Sequence, residues 1–245
     1  MIKYYFLILA FNEERHLLKT FKKLKRIIKL RNISNYKIII NNDGSYDRTE
    51  KIAIQIKNKI DNKIELISYK KNIGVAKSIK NFIANHKQGK LIVVSGDNEL
   101  DEILLTNLIN ASKKSDFVLS YFVNREKKGW FRANMSTLFN LIFCTIFDVY
   151  AFYLQGPFVW PLDKIKKMRI YSEGIAYCSE VNVKLLNSGL KYSEVQGNMA
   201  TRSNKDSTSF RIFNFYDILK TLIFLIFEIK IFKKYKIKSQ RILIK

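Results

Sequence analysis

Residues 36–49, with the sequence YKIIINNDGSYDRT, decide the fold, because an apolar run passes directly into a polar turn and then into a helix. The run at residues 36–40 is short, continuous and apolar, as expected of a strand buried on both faces of a parallel sheet. Residues 49–60 repeat apolar side chains at helical spacing. Between them, Asp43 offers a carboxylate and Gly44 permits a sharp turn. The stretch predicts a strand-loop-helix unit with polar groups at the carboxyl end of the strand, although a plain Asp-Gly turn shares this pattern.

The same unit recurs on both sides of this stretch. The predicted strands are residues 3–10, 63–69 and 90–94, and the predicted helices are residues 13–30 and 75–85. Strands that alternate with helices of roughly 10 to 15 residues form right-handed βαβ units. We therefore predict an α/β fold of the nucleotide-binding type, an open and mainly parallel sheet with helices on both faces. Ligands of such sheets bind beyond the carboxyl ends of the strands.

The composition narrows the function classes. The chain has 245 residues, of which 47% are apolar, so it can bury a large core and is not disordered. Its 44 Lys and Arg against 21 Asp and Glu give a net charge of +23. Nucleic acid, anionic lipid or a phosphorylated substrate could neutralise this excess, and composition does not choose among them; part of the excess can also reflect a coding bias towards Lys, Ile and Asn. No nucleic acid is expected as a partner, because the sequence has no recognisable reader motif.

Two features set the expected compartment. Cys144 and Cys178 have neither the spacing of a disulfide framework nor histidine neighbours that would indicate a zinc site. Residues 1–10 lack the small-residue cleavage site of a secretory signal. We therefore expect the protein to stay inside the cell.

The second half of the chain has a long apolar segment. Between residues 133 and 162 the single charge is Asp148, but Asn140, Gly156 and Pro157 interrupt the apolar run. A membrane-spanning helix needs about 20 continuous apolar residues. We therefore predict a pair of helices in this segment, partly in the core and partly at a membrane interface, instead of a spanning helix.

Residues 212–235 are apolar and aromatic, with charged residues recurring along them and a Lys cluster at the end. A helix of this kind lies in the membrane interface, with Lys near anionic head groups, and an ordinary packing helix is the alternative. We divide the chain into a main domain, residues 1–210, and a basic amphipathic interface helix, residues 211–245. The expected location is the cytoplasmic face of the cell membrane, as a peripheral or monotopic protein.

A second polar segment, SGDNE at residues 95–99, directly follows a predicted strand. Its two acids, Asp97 and Glu99, are two residues apart, so both can point to one side of the strand end. Carboxylate oxygens in this arrangement hold a hard divalent cation.

Four segments together resemble, in order and in spacing, the motifs of family 2 glycosyltransferases. They are ILAFNEE at residues 8–14, INNDGSYDRT at 40–49, NIGVAKSI at 72–79 and SGDNE at 95–99. The resemblance implies the GT-A fold of nucleotide-diphospho-sugar transferases, with residues 1–210 as the catalytic domain. It implies a nucleotide-sugar site formed by Leu9, Phe11, Glu13, Asn42, Asp43, Ser95, Gly96 and Asp97. It also implies that Asp97 and Glu99 hold Mg²⁺ or Mn²⁺.

This sequence departs from the family pattern at several motif positions. Leu9 stands where the family has Pro, Phe11 where it has Tyr, and Asn42 where it has the first Asp of Asp-Asp-Gly-Ser. Ser95 replaces the first Asp of the Asp-x-Asp motif, and a hydroxyl coordinates Mg²⁺ or Mn²⁺ less well than a carboxylate. A catalytically weakened relative that acts as a scaffold is therefore one alternative.

The later half resembles the polyprenyl-phosphate sugar transferases, the group that includes dolichyl-phosphate mannose synthases. Arg125, Arg132 with Ser136, and Arg202 with Ser207 stand in the order of that group's acceptor-phosphate residues. The resemblance implies inverting transfer of a sugar from a GDP- or UDP-sugar to a lipid phosphate at an anionic membrane surface. The implied catalytic residues are Asp97, Arg132 and Arg202.

The nature of the acceptor decides whether a general base is needed. A lipid phosphate is already an anion, so it requires positioning by Arg and no base. A sugar hydroxyl, as in cell-surface polysaccharide synthesis, requires a carboxylate base, for which Asp148, Glu180 and Glu194 are the candidates. Transfer to a sugar hydroxyl is the alternative function.

Overall fold

The computed structural model describes residues 2–59, 63–124, 129–198 and 212–243. In chain order, the elements are β1 Tyr4–Ala10, α1 Leu17–Leu30, β2 Tyr36–Asn42, α2 Thr49–Lys59, β3 Ile64–Ser68, α3 Val75–Asn85, β4 Lys90–Ser95, α4 Glu102–Ser112, β5 Phe117–Phe122, α5 Trp130–Phe147, β6 Val159–Pro161, α6 Leu162–Ile165, α7 Tyr177–Leu186, β7 Lys191–Gly197, α8 Ile212–Leu225 and β8 Gln240–Arg241. Helix α8 continues into a π-helical segment, Ile226–Ile231.

The strands form one sheet in the order β3-β2-β1-β4-β6-β5-β7-β8. Strand β6 runs antiparallel to both β4 and β5, and the other neighbours pair in parallel. The carboxyl ends of β1, β2 and β4 therefore meet at one edge, which we call the carboxyl edge. The predicted α/β fold with an open, mainly parallel sheet is confirmed.

Helices cover both faces of the sheet, also as predicted. Helices α1, α2 and α4 pack on one face, and α3, α5, α7 and the π-helical segment pack on the other. Strand β1 lies between these layers, and its residues Phe6, Leu7 and Ile8 are fully buried. Burial of each such side chain contributes about 1.5 to 3 kcal/mol, so the apolar run of β1 fixes the centre of the sheet.

Helix α1 begins at Leu17, four residues later than the predicted start at residue 13. The backbone N–H groups of Glu13 and Glu14 instead donate to side chains that follow β2. These side-chain acceptors take the place of a longer helix.

The predicted pair of helices in residues 133–162 is wrong. Helix α5 covers the first part and ends at Asp148, whose left-handed backbone has φ 51°. The segment that follows enters the sheet as β6, because residues 159–161 fill the gap between β4 and β5. Gly156 lies directly against the Ser120 carbonyl, so a side chain cannot be accommodated there. Among the helices of the described ranges, none combines the length and hydropathy needed to cross a membrane.

Helix α8 joins the core through a buried acid. Asp217, only 4% exposed, accepts hydrogen bonds from the Ser172 hydroxyl at 2.8 Å and from the backbone N–H groups of Glu173 and Ala176 at 3.0 Å. Leu225 and Ile229 add apolar contacts to the same core.

The domain boundary that we predict at residue 210 lies outside the described residues.

A buried ion-pair chain fixes the end of this helix. The Lys184 amine of α7 lies 2.8 Å from a Glu180 carboxylate oxygen and 2.6 Å from one of Glu228. The Lys184 side chain is fully buried, whereas Lys234, which also pairs with Glu228, is half exposed. The two carboxylates therefore depend on one buried cation.

Replacement of Lys184 by Met should lower the free energy of unfolding by about 3 to 5 kcal/mol, because Glu180 would lose its cation in the interior and Glu228 would keep only the half-exposed Lys234. Urea denaturation measures this change. The matched Lys234→Met variant removes a solvent-screened pair and should lose less than about 1 kcal/mol. Equal losses in the two variants would contradict this account of the C-terminal helix.

Candidate functional site

Loops that follow β1, β2, β3 and β4 meet at the carboxyl edge. Backbone bonds join them in pairs. The Asp43 N–H donates to the Ala10 carbonyl at 2.9 Å, the Tyr69 N–H to the Asn42 carbonyl at 3.0 Å, and the Gly96 N–H to the Leu9 carbonyl at 2.8 Å. These bonds extend the sheet pairing by one residue beyond the ends of β2, β3 and β4.

The loops after β1 and β2 also exchange side-chain hydrogen bonds, which we call the cross-loop zipper. Its bonds run from Asn12 N–H to Ser45 Oγ (3.0 Å), Tyr46 N–H to Asn12 Oδ1 (3.1 Å), Glu13 N–H to Thr49 Oγ1 (2.7 Å) and Glu14 N–H to Asp47 Oδ2 (3.1 Å). The zipper brings the first two sequence motifs together and satisfies four backbone donors that no helix uses.

Asp43 connects the second motif to the third. Its carboxylate is 6% exposed and accepts from the Ile73 N–H at 2.8 Å and the Gly74 N–H at 3.0 Å, just before α3. Gly44 has φ 69° and lies against the Lys71 backbone, where a side chain would collide. The Asp-Gly pair thus locks the start of α3 to the carboxyl edge.

A row of side chains crosses the sheet at this edge. Ser95, Leu9, Asn41 and Ile67 are register partners on four neighbouring strands. Leu9 and Ile67 pack towards the α3 face, and Asn41 lies between them. Asn41 is 1% exposed and its Nδ2 has no hydrogen-bond partner in the described parts of the chain. Sequence reasoning missed Asn41, because an unpartnered amide is visible only when the neighbouring strands are in place.

Asn42 has its own partners inside the fold. Its Nδ2 donates to the Ser68 hydroxyl at 2.8 Å, and its Oδ1 accepts from the Ser45 N–H at 3.3 Å. An amide can both donate and accept here, which a carboxylate at the same position cannot do. Asn42, which stands where the family has Asp, therefore suits both of its hydrogen-bond partners.

Two aromatic rings flank the mouth of the site. Phe11 is 40% exposed and Tyr46 is 86% exposed, and their ring centroids lie 6.0 Å apart at an interplanar angle of 86°. Phe11 was predicted as a donor-site residue, whereas Tyr46 was not identified from the sequence. The zipper bond from Tyr46 to Asn12 brings the two rings together.

The loop after β4 carries the predicted metal ligands. Asp97 Oδ1 accepts from the Glu99 N–H at 2.9 Å, and Asn98 between them has a left-handed backbone with φ 62°. Asn98 Oδ1 and Asp101 Oδ2 are shielded from solvent and have no hydrogen-bond partner in the described structure. Within the described ranges, no cluster of three or more metal-ligating side chains occurs.

This donor set fits a hard divalent cation that shares its coordination with a substrate. Mg²⁺ is typically bound through one or two carboxylates together with substrate phosphate oxygens. Asp97 and Glu99 supply two carboxylates, and the other donors in the loop are oxygens, which suit Mg²⁺ or Mn²⁺. The cation would therefore need oxygen ligands from a bound diphosphate.

Helix α1 holds this loop from below. The Thr20 hydroxyl donates to the Gly96 carbonyl at 3.0 Å. One turn later, the Lys23 amine donates to the Asn98 carbonyl at 3.0 Å and to the Leu100 carbonyl at 2.9 Å. Sequence reasoning gave neither α1 residue a role.

The predicted acceptor residues are only partly described. Arg125, Arg202 and Ser207 lie outside the described residues, and Arg132 is described only as part of the backbone of α5. The Ser136 hydroxyl donates to the Tyr153 hydroxyl at 3.1 Å. The structure thus brings the donor and metal residues together and leaves the acceptor assignment as a prediction.

Of the carboxylates considered as general bases, Glu194 and Glu180 are tied into the fold. Glu194 accepts from the Phe152 N–H at 2.7 Å and pairs with Arg241 at 3.1 Å, with its side chain fully buried. Burial raises the pKa of the Glu194 carboxyl, against the opposing effects of these two partners. Glu180 accepts from backbone N–H groups of residues 171 and 172 and from the Lys184 amine.

Asp148 lies at the other end of the sheet. It pairs with Lys238 at 3.3 Å, and the nearby strand β8 pairs with Lys191 and Tyr192 at the amino end of β7. Asp148 is therefore remote from the carboxyl edge, and its candidacy as a base at that edge is wrong.

Comparison with known proteins finds a matching family and a relative. Residues 5–179 match the family model of Glycosyl transferase family 2. An uncharacterized protein of Methanocaldococcus jannaschii, MJ0544, is 25% identical over 200 residues, which cover 77% of this chain and 84% of that protein.

Several solved structures share the fold at low identity. Mannosyl-3-phosphoglycerate synthase from Rubrobacter xylanophilus has a TM-score of 0.65 and 13% identity, over 96% of this chain and 76% of that chain. Staphylococcus aureus TarS 1–349 in complex with UDP-GlcNAc has a TM-score of 0.63 and 14% identity, over 92% of this chain and 67% of that chain. Glucosyl-3-phosphoglycerate synthase from Mycobacterium tuberculosis, in complex with Mn²⁺, UDP and glucosyl-3-phosphoglycerate, has a TM-score of 0.59 and 13% identity. The match covers 92% of this chain and 79% of that chain.

These likenesses confirm the GT-A fold that the sequence motifs imply. The chain spans only part of some of these proteins, down to 40% of a longer TarS chain.

The cross-loop zipper makes the stability of the protein depend on pH. Burial tends to raise the pKa of Asp47, but hydrogen bonds from Thr49 and Glu14 outweigh it and hold the pKa below its ordinary value. A carboxyl whose pKa is lower in the folded state contributes stability above its unfolded pKa and loses it as the pH falls. Asp47→Asn should therefore lower stability at pH 7 and flatten its decline between about pH 5 and pH 3.

Urea denaturation across this pH range measures both effects. The control is Asp163→Asn, because Asp163 is half exposed and its ion pair, with the adjacent Lys164, is long at 3.7 Å. An equally steep acid decline in wild type and Asp47→Asn would show that the zipper does not contribute in this way.

Proposed function

This chain belongs to glycosyl transferase family 2, and from that premise we propose that it transfers a sugar from a nucleoside diphosphate to a polyprenyl phosphate, with inversion. Family membership makes it a glycosyltransferase that acts on nucleotide sugars. One observation carries the proposal: a two-carboxylate loop, Asp97 to Glu99, stands at the same edge as the exposed ring of Phe11 and the row containing Leu9.

The donor end of the reaction follows from this arrangement. The anomeric C–O bond breaks through an oxocarbenium-like state, and negative charge builds on the departing diphosphate. A divalent cation held by Asp97 and Glu99 supplies positive charge to that leaving group. Phe11 and Tyr46 offer ring surfaces for the base, and Leu9 forms part of the floor.

The positions of the candidate general bases bear on the choice of acceptor. The candidate bases Glu180 and Glu194 are held in structural bonds, and Asp148 is at the opposite edge. A lipid phosphate needs no base, because it is already ionised, so this geometry favours it over a sugar hydroxyl. Arg132 and Arg202 are proposed to grip the phosphate through their bidentate forks.

Exposed apolar residues support the proposed membrane location. On α5 they are Trp130, Phe131, Leu138, Leu141 and Ile142, and around α8 they are Phe215, Tyr216, Leu219, Ile223, Phe227, Ile231 and Phe232. Both helices pack on the same face of the sheet, and α5 contacts the π-helical segment. Groups of exposed apolar residues on one face mark interaction surfaces, and the Lys residues after residue 229 suit anionic head groups.

The second candidate is transfer to a soluble acceptor, including a sugar hydroxyl. The structure of the Mycobacterium tuberculosis synthase, which holds glucosyl-3-phosphoglycerate, favours it because that fold covers 92% of this chain. A soluble phosphorylated acceptor would use the same Arg residues but no membrane. A weakened scaffold relative is the third reading, because Ser95 leaves one carboxylate fewer in the loop.

Asp97→Asn should reduce sugar transfer by orders of magnitude and leave the fold intact, because the loop loses half of its carboxylate charge. Product formation from GDP- and UDP-sugars, with Mn²⁺ or Mg²⁺, measures this. Glu102→Gln is the control, since Glu102 is an exposed acid that pairs with Arg26 on the adjoining helix. Full activity of Asp97→Asn with every donor would overturn the site assignment.

Vesicles of anionic lipid that carry polyprenyl phosphate test the acceptor and the location together. We expect labelled sugar to move to the lipid, with no general-base limb in the rate above about pH 6.5. Arg202→Lys should weaken use of the acceptor far more than binding of the donor, because Lys lacks the bidentate fork. Transfer to a free oligosaccharide without lipid would favour the second candidate.

The same vesicles should sediment the protein at low salt and release it partly at high salt, because Lys attraction is screened and apolar insertion is not. Leu219→Gln on α8 should weaken this binding several-fold. Leu30→Gln is the matched control, because Leu30 is exposed on α1, on the opposite face of the sheet. Equal effects of the two substitutions would contradict the proposed membrane face.

A further inference from the structure

Lys23 is the Lys residue of α1 that faces the loop after β4. The inner side of this helix packs on the sheet with apolar residues such as Phe21 and Leu24, while Lys19 and Lys22 are exposed. The Lys23 amine instead lies in the gap between α1 and the loop that carries Asp97. A partly buried ammonium group at this position requires an explanation.

The hydrogen bonds that Lys23 donates to the loop explain its position. Lys23 donates to the carbonyls of Asn98 and Leu100 at 3.0 and 2.9 Å, and Thr20 donates to the carbonyl of Gly96 at 3.0 Å. The anchored peptide groups thus stand on both sides of Asp97 and on both sides of Glu99. Hydrogen bonds from a charged donor are roughly twice as strong as neutral ones, so Lys23 is the main anchor of the loop.

Two features of the loop, the backbone of Asn98 and the absence of a carboxylate at Ser95, make this anchor important. Asn98 holds a left-handed backbone, a conformation that Asn tolerates better than most residues but less freely than glycine. Because Ser95 has no carboxylate, the site has fewer charged ligands and depends more on how well the remaining two are held. The Thr20 hydroxyl alone reaches only the first peptide of the loop.

The positive charge of Lys23 opposes metal binding, whereas its hydrogen bonds to the loop support it. Burial lowers the pKa of Lys23, and Glu102, Asp101 and Asp97 counter that shift, so these carboxylates lie within reach of the ammonium charge. A positive charge near Asp97 should repel an incoming cation. Loss of Lys23 therefore weakens metal binding if positioning dominates and strengthens it if charge repulsion dominates.

We propose that Lys23 is a positioning residue that holds the 96–100 loop in its metal-binding form and so sets the affinity of the site for a divalent cation. This rests on the metal dependence in the proposed function. Anchors of metal ligands typically contribute 10- to 100-fold in metal affinity. Positioning therefore outweighs the repulsion between the ammonium group and the cation.

The test compares Lys23→Met, Lys23→Arg and the control Lys22→Met, which removes the same charge from the exposed side of the same helix. Mn²⁺ alone is titrated into each protein and free Mn²⁺ is followed by electron paramagnetic resonance, then again with UDP and with GDP. Lys23→Met should raise the Kd for Mn²⁺ about tenfold. Lys23→Arg should restore most of the affinity, and Lys22→Met should match wild type.

Activity adds a second readout. With Lys23→Met, the metal concentration for half-maximal rate should rise in step with the Kd, while kcat at saturating Mn²⁺ stays within about twofold of wild type. Should Lys23→Met fail to fold, Lys23→Gln keeps one donor and should show an intermediate Kd. An unchanged or lower Kd in the folded variants overturns the positioning role alone, whereas a wild type that binds no Mn²⁺ even in the presence of UDP or GDP overturns the metal site itself.

Discussion

The hydrogen bonds between loops at the carboxyl edge are the constraint on which the rest of the structure depends. Asp43 joins the end of β2 to the start of α3, the zipper joins the loops after β1 and β2, and α1 holds the loop after β4. The first two connections pair a side chain of one motif with the backbone of another, and the third pairs a side chain of α1 with the backbone of a motif. A buried backbone donor without a partner is costly, so each motif residue preserves the position of a neighbouring loop.

This explains how residues can be important to the site without touching a ligand. The carboxylate of Asp43 and the hydroxyl of Thr49 have their hydrogen-bonding capacity directed at backbone N–H groups. They shape the crevice from beneath, while Phe11 and Tyr46 present surface to it. Sequence motifs mark both kinds of residue equally, and only the three-dimensional contacts separate them.

The sequence predicted the first half of the fold well, because β1 to β4 and α1 to α3 alternate with clear periods. It failed for the second half, where β6 has only three residues and owes its conformation to β4 and β5 on either side. Local propensity carries no signal for such a strand. Likewise, the acids Asp217 and Glu228 gave residues 212–235 an amphipathic pattern, but their buried partners, such as Lys184, lie more than forty residues away in the chain.

The same distinction holds for the site. Asp97 and Glu99 could be found from their spacing, because both lie in one short loop. Lys23, Asn41 and Tyr46 could not, because their roles arise from contacts between distant segments, such as the bond from Lys23 to Leu100.

The antiparallel strand β6 has a further consequence, for the order of folding during synthesis. Until Val159 to Pro161 leave the ribosome and pair with Lys90 to Ile92, β4 is an open edge strand, a form prone to pairing with other chains.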